Sequence, residues 1–266
     1  MSVLQAFALG LLQGLTEFLP VSSSGHLVIV PWLLGWPHAS LTFDTLVHWG
    51  TLTAVLLYFR SEVVFYTKAA WTSLRRRSLD VPGARVAWAI ALGTLPGALA
   101  GVLLEDLFEN LFHAPKAAAA FLLVTAGLLV TSEWVGQRVR TLEHMRLVDG
   151  LLIGIGQALA ITPGISRSGA TMAAGLMRGY RREDAARFSF LLGIPLIFGA
   201  GLMQLVKLLT ATTQAEPVSV LLVGFLTAAV SGFLAIHWLL GYVRRHSLYL
   251  FALYCLLLGG GVLLFG

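Results

Sequence analysis

The feature that most limits how this chain can fold is a set of long, nearly uncharged apolar runs. Six stretches, Leu41–Phe59, Val86–Leu104, Ala117–Trp134, Phe188–Leu209, Val218–Leu240 and Tyr249–Phe265, approach the roughly 20 apolar residues a helix needs to cross a bilayer core. The chain has too little polar surface to bury six such helices in water. Of its 266 residues 57% are hydrophobic and only 12% charged, whereas a soluble domain carries about 25% charged residues. Lipid must supply part of the solvent, so an all-α polytopic membrane protein is expected.

Two further apolar regions are broken. Val3–Leu19 contains Gln13 and Glu17, and Val21–Trp36 opens on three serines. Leu147–Ile161 is short, leads into Pro163–Thr171, and is followed by a second short piece ending at Met177. Such pairs read as re-entrant helical hairpins, tolerated at membrane depth only where protein buries them or they line a wet cavity. The expected fold is therefore six transmembrane helices plus two re-entrant hairpins.

Charge gives the sidedness. Of the 18 Lys and Arg residues, 15 fall in Arg60–Arg85, Arg138–Arg146, Arg178–Arg187 and Arg244–Arg245. The alternate connections, Glu105–Lys116 and Thr210–Pro217, are poor in them. Threading six spans with two hairpins that return to their own side places every basic cluster on the cytoplasmic face and both termini outside. Counting the hairpins as full spans keeps the same parity, so their short length and embedded polar residues carry the re-entrant reading. The net charge of +5 thus reads as membrane anchoring. No nucleic-acid partner is expected, because no aromatic platform is interleaved with the basic residues. The lone Cys255 allows no intramolecular disulfide. With Arg60 as the first basic residue, no cleavable signal peptide is expected.

The broken regions repeat. A shift of 144 pairs Gly10 with Gly154, Gln13 with Gln157, Ser22 with Ser166, Ser24 with Ser168 and Gly25 with Gly169. Each half, about 1–136 and 147–266, then holds one hairpin and three spans within a single membrane domain. An odd number of spans enters the second half from the opposite face, giving an inverted-topology repeat whose hairpins meet tip to tip.

Glu17, His26 and Arg167 sit beside those tips. An ionisable group costs about 2.5–3.5 kcal/mol at the bilayer centre, so it persists where it pairs or acts. A purely structural Glu17–Arg167 ion pair would leave the hydroxyls of Ser22, Ser23, Ser24, Ser166, Ser168 and Thr171 without a purpose. In the second loop, Gly164 and Gly169 let backbone N–H groups approach an oxyanion. Arg167 offers a planar fork, and the following helix presents its positive end. The first loop supplies a carboxylate, hydroxyls and an imidazole, a nucleophile with acid and base. Phosphoryl chemistry on an amphiphile follows, with Ser23 activated by His26 or Glu17, His26 itself, or water as the attacking group.

Gln13-Gly-Leu-Thr-Glu17 leading into Phe-Leu-Pro-Val-Ser-Ser-Ser-Gly-His26, and Pro163-Gly-Ile-Ser-Arg-Ser-Gly-Ala-Thr171, resemble the two motifs of the undecaprenyl-diphosphate phosphatases of the bacitracin-resistance type. The resemblance implies hydrolysis of an isoprenyl diphosphate lipid to its monophosphate in the bacterial cytoplasmic membrane, recycling the carrier for cell-wall synthesis. It assigns catalysis to Glu17, Ser23, His26 and Arg167. Substrate binding goes to Gln13, Ser22, Ser24, Gly164, Ser166, Ser168, Gly169 and Thr171. It also implies a divalent cation, Mg2+ or Ca2+, at Glu17 with Gln13. Gln13 stands where many members have Glu, which shifts weight onto Glu17. Membrane lipids are further partners, and a homodimer is compatible with this layout.

Elsewhere, Asp44 and His48, one turn apart, are candidates for supporting the site. Asp149 is expected to cap a helix, His237 to lie in the core, and Arg75–Arg77 to form an anchoring loop. The competing class is a secondary transporter, which shares broken helices and inverted repeats but has no need of serines beside a glutamate and a histidine. A structural scaffold is third and leaves Arg167 unexplained.

Overall fold

The apolar runs become helices because little within them competes for the backbone, and most end at a cap or turn residue. The computed structural model describes residues 1–37, 39–104, 111, 114–210 and 216–266. Among these are eleven α-helices: α1 (Val3–Phe18), α2 (Ser23–Leu34), α3 (Leu41–Tyr58), α4 (Arg60–Arg76), α5 (Ala84–Leu103), α6 (Pro115–Val135), α7 (Leu147–Leu159), α8 (Arg167–Met177), α9 (Arg182–Thr210), α10 (Val218–Val243) and α11 (Tyr249–Phe265). Helices α5, α6, α9 and α10 are long and apolar enough to cross a membrane. Helix α11 keeps its expected bounds with 17 residues, and α3 has 18, among them Asp44 and His48. The chain is an all-helical membrane protein.

Helix α9 begins at Arg182 rather than Phe188, because Glu183 and Asp184 in its first turn complement the helix dipole. The expected loop at Arg75–Arg77 is corrected: Arg75 and Arg76 close helix α4, and Arg77 caps it at φ 49°. Val63, Tyr66, Ala69 and Ser73 recur at helical spacing and face the protein, which makes this stretch a surface helix. Trp88 Nε1 donates to Ser73 Oγ at 3.2 Å and fastens α4 to α5.

Ion pairs draw the basic clusters to one end of the bundle. Arg187 reaches Glu62 at 3.0 Å, Arg182 reaches Glu133 at 2.6 Å, and Arg244 reaches Glu183 at 2.7 Å. Asp149 is corrected from cap to third residue of its helix, because Arg146 is extended and takes the cap position. Asp149 is fully buried and accepts from Arg140 at 2.7 Å, Arg178 at 2.8 Å and the Tyr180 hydroxyl at 2.7 Å. Burial first, and Asp149 second, push the Tyr180 phenol well above its ordinary value. The Met1 ammonium lies 3.7 Å from Glu216, where α9 connects to α10. The acidic residues Glu105, Asp106 and Glu109 of the other connection lie outside the described residues.

The two broken regions pack alike. Helix α1 lies along α10, so close that a Cβ on Gly10 would sit 2.6 Å from Gly224 O. Helix α7 lies along α5, where a Cβ on Gly154 would sit 2.2 Å from Gly93 O. In both, the third helical residue accepts from the cap N–H, Gln5 Oε1 from Ser2 N at 2.9 Å and Asp149 Oδ2 from Arg146 N at 3.2 Å, again 144 residues apart. His237 is corrected from a core histidine to an exposed one, with Tyr58 Oη 3.4 Å from its Nδ1.

Candidate active site

Ser22 and Ser166 begin α2 and α8 in the same way. Each hydroxyl accepts from the glycine three residues on, Gly25 N at 3.2 Å and Gly169 N at 3.0 Å. Each also lies beside a second serine, Ser22 Oγ 3.4 Å from Ser24 Oγ and Ser166 Oγ 3.2 Å from Ser168 Oγ. The loops interlock: Gly164 N donates to Ser22 Oγ at 3.2 Å, and Ser168 Oγ donates to Leu19 O at 3.0 Å. The N–H groups of Gly164 and Gly169, expected to face an oxyanion, are therefore taken by cap hydroxyls. Those of Ser23, Ser24, Arg167 and Ser168, in the first turns, have no acceptor among the described residues. Two helix N-termini with unfilled donors thus stand side by side, an arrangement suited to an anion.

Thr125 of α6 pins the second loop, donating to Gly164 O at 2.9 Å and accepting from Ser166 N at 3.0 Å. Gly164 is required there: its φ is 97°, and a Cβ would sit 2.1 Å from Ala118 O. Thr171 is held within the fold, with Oγ1 donating to Arg167 O at 2.7 Å and lying 2.7 Å from Ser189 Oγ.

Glu17 is the hub. Its Oε2 accepts from Ser23 Oγ at 2.6 Å and from Gln13 Nε2 at 3.1 Å, and its Oε1 accepts from Arg167 Nη2 at 2.9 Å. A buried carboxylate is tolerable only with such partners, and Glu17 is 7% exposed. The short Ser23 contact is a charge-assisted bond that leaves the carboxylate placed to take the hydroxyl proton. Arg167 Nη1 also donates to Ser189 O at 3.3 Å. Gly193 makes room for the guanidinium, since a Cβ there would lie 2.0 Å from Nη1.

His26 is turned elsewhere. Its Nδ1 lies 2.7 Å from Ser22 O, which can only accept, so Nδ1 carries the proton. Nε2 therefore accepts from the Tyr254 hydroxyl at 2.7 Å. The two rings stack with centroids 5.6 Å apart. No hydrogen bond joins His26 to Ser23 among the described residues, and of the two expected bases it is Glu17 that contacts the serine. Tyr254, Thr125, Ser189 and Gly193 carried no signal in the sequence, since each sits in an ordinary apolar run. His48 lies within electrostatic reach of Glu17, and its Nδ1 is 2.8 Å from Asp44 O.

No group of three or more His, Cys, Asp or Glu residues forms a metal cluster among the described residues. The oxygens that suit a hard cation are those of Glu17 and the buried, unpartnered Oε1 of Gln13. That set fits an ion such as Mg2+, which takes one or two protein oxygens and completes its shell from phosphate and water.

Residues 6–261 match the family described as bacitracin resistance protein BacA. An undecaprenyl-diphosphatase of Thermomicrobium roseum is 43% identical, across 97% of this chain and 96% of that protein. One from Geobacter sulfurreducens is 44% identical, across 99% of this chain and 98% of its own length. A third, from Moorella thermoacetica, is 46% identical, across 97% and 95% respectively. Motifs, interlocked loops and end-to-end similarity agree, and the chain belongs to the bacitracin resistance protein BacA family.

Proposed function

We propose that this chain is an undecaprenyl-diphosphatase that converts the C55 isoprenyl diphosphate to its monophosphate and inorganic phosphate. The product is the carrier lipid required for peptidoglycan synthesis, and its recycling gives bacitracin resistance. The contact that carries this reading is Ser23 Oγ at 2.6 Å from a carboxylate that also holds Arg167. A site that only bound a headgroup would need the arginine and N–H groups, not a hydroxyl set on a base. Ser23 Oγ attacks the terminal phosphorus while Glu17 takes its proton. The bond to the bridging oxygen breaks, and the lipid monophosphate leaves with the proton returned from Glu17. Water, losing a proton to the freed carboxylate, then cleaves the phosphoserine to inorganic phosphate and the Ser23 hydroxyl, which takes that proton back. Arg167 keeps N–H groups beyond those used on Glu17 and Ser189, and with the two helix N-termini it stabilises the equatorial oxygens. A divalent cation held by Gln13 Oε1 and Glu17 would supply neutralisation of the diphosphate charge.

The fold reading that goes with it is six spans and two re-entrant hairpins in inverted halves, about 1–136 and 147–266. The chain would lie in the bacterial cytoplasmic membrane with both termini outside. Support comes from the matched approaches Gly10–Gly224 and Gly154–Gly93, the matched serine caps and the basic end. The test is phosphate release from the C55 diphosphate in detergent, where no compartments exist. Arg167→Ala is expected to lower the rate about 10²–10³-fold. An acid-stable phospho-enzyme should accumulate on rapid quench, whereas an acid-labile one would transfer the nucleophile to His26. Lipid exchange across liposomes without release in detergent would make the chain a transporter.

A further inference from the structure

Apart from the serine loops, the basic end of the bundle holds a cavity of about 330 Å³ lined by Arg138, Arg181, Arg182, Glu183, Val243 and Arg244. Four guanidiniums thus face one carboxylate. Arg182 is satisfied by Glu133 through bonds of 2.8 and 2.6 Å, and Arg244 by Glu183 at 2.7 Å. Arg138 is held within the chain as well, its Nη2 donating to Glu133 O, and Arg181 is not held. Arg181 is exposed, and its guanidinium has no hydrogen bond or ion pair among the described residues. Asp184, the carboxylate facing it at longer range, accepts from Leu142 N at 3.3 Å. Arg138 sits at φ 57°, a backbone region that residues with a Cβ rarely adopt. Its Nη2 reaches the Glu133 carboxylate at 3.4 Å, yet its Nε is buried with no partner. That Nε is enclosed by the chain, so what Arg138 offers the cavity is the exposed third of its side chain.

A second cavity of about 570 Å³ adjoins at Arg244 and is lined by His237, Trp238 and Tyr242, then Arg245 and His246. Trp238 and Tyr242 stack at 5.1 Å between ring centroids, and Tyr242 and His246 at 4.7 Å. Tryptophan and tyrosine gather where hydrocarbon meets the headgroup layer. The aromatic groove therefore leads from acyl-chain depth to the arginines. Glu133, Glu183 and Asp184 against the four lining arginines leave an excess of one positive charge.

We infer that this cavity binds the phosphate of an anionic membrane phospholipid, with the headgroup between Arg138 and Arg181 and the acyl portion along Trp238 and Tyr242. Phosphate oxygens would meet the exposed edge of the Arg138 guanidinium and the free Arg181 fork. The lipid would then bridge the ends of α6, α9 and α10. The inference rests on the membrane reading and is independent of the phosphatase reading.

Purified full-length protein in detergent, titrated with phosphatidylglycerol and with phosphatidylcholine and followed by native mass spectrometry, tests it. Phosphatidylglycerol should be retained more tightly, and Arg138→Gln and Arg181→Gln should each weaken it about fivefold. Arg75→Gln and Arg76→Gln, on exposed α4, should leave retention unchanged. Equal retention of the two lipids, or equal losses from the α4 variants, would overturn the site. Inorganic phosphate displacing the lipid at matched concentration would assign it to free phosphate instead and overturn the lipid. Arg181 holds no part of the fold together, so its variant should release phosphate from substrate at the wild-type rate, separating lost lipid from lost folding.

Discussion

The loops at Pro20–His26 and Pro163–Thr171 share a frame and differ in chemistry. Each opens a helix with a serine cap on a glycine, and each sets a second serine beside the first. The strain is placed differently. In the first loop Ser22 itself lies at φ 70°, whereas in the second Gly164 lies at φ 97° and Thr125 pins it. The ionisable groups do not repeat. Where the first loop has Glu17, Ser23 and His26, the second has Ile161, Arg167 and Ala170. A duplicated frame can therefore hold two helix N-termini together while three positions differ, a carboxylate, a hydroxyl and an imidazole in one loop and a guanidinium in the other.

The largest expected effect tests that division. Ser23→Ala and Glu17→Gln should each cut phosphate release by about 10⁴-fold or more, the scale seen when a nucleophile or its base is removed. Exchanging the ionic partners, Glu17→Arg with Arg167→Glu, sharpens the result. The double variant can rebuild an ion pair between the loops and so keep its thermal midpoint, yet it should stay inactive. Turnover recovered by the exchange would mean that the pair is only a strut between the loops.

The helix starts leading to the loops differ in a second way, next in size. Gln5 and Asp149 occupy matching places, each accepting from the N–H of its cap residue. Gln5 is partly exposed, whereas Asp149 is fully buried beneath Arg140, Arg178 and Tyr180. Removing the Asp149 charge strands two guanidiniums, so Asp149→Asn should cost about 3–5 kcal/mol in detergent unfolding. Gln5→Ala, which loses a cap alone, should cost about 1 kcal/mol. Equal losses would show that the second half gains nothing from its buried ion cluster.

Much of this frame was legible because it depends on backbone and composition. Apolar runs announce helices, and the serines and glycines repeated at a spacing of 144 point to both tips. The Glu17–Arg167 pair was foreseen from the cost of an isolated charge in an apolar setting. What stayed hidden were partners supplied by distant helices. Tyr254 reads as one more residue of the last span, and Thr125 as a packing threonine of α6. Helix α4 was missed because its mixture of charges and short apolar residues has no strong period until Val63, Tyr66, Ala69 and Ser73 are seen to share a face. The placing of His26 is likewise not legible, because both its ring nitrogens bond to groups that only the fold brings there.

That commitment sets the smallest expected effect and decides on which side of the comparison His26 belongs. Tyr254 donates to His26 Nε2 at 2.7 Å, and Tyr254→Phe removes that donor while keeping the stacked ring. The loss of one neutral hydrogen bond is worth about 1 kcal/mol, roughly a fivefold effect on a rate that depends on the histidine's placement. If His26 belongs to the frame, as Ala170 does in the other loop, the variant should lower the thermal midpoint slightly. Its rate against pH should then keep the wild-type shape, with Glu17 still serving Ser23. If His26 instead exchanges a proton with the substrate, freeing Nε2 should move one limb of that profile. A moved limb would return His26 to the attacking loop's chemistry, and an unmoved one leaves Glu17 as its sole base.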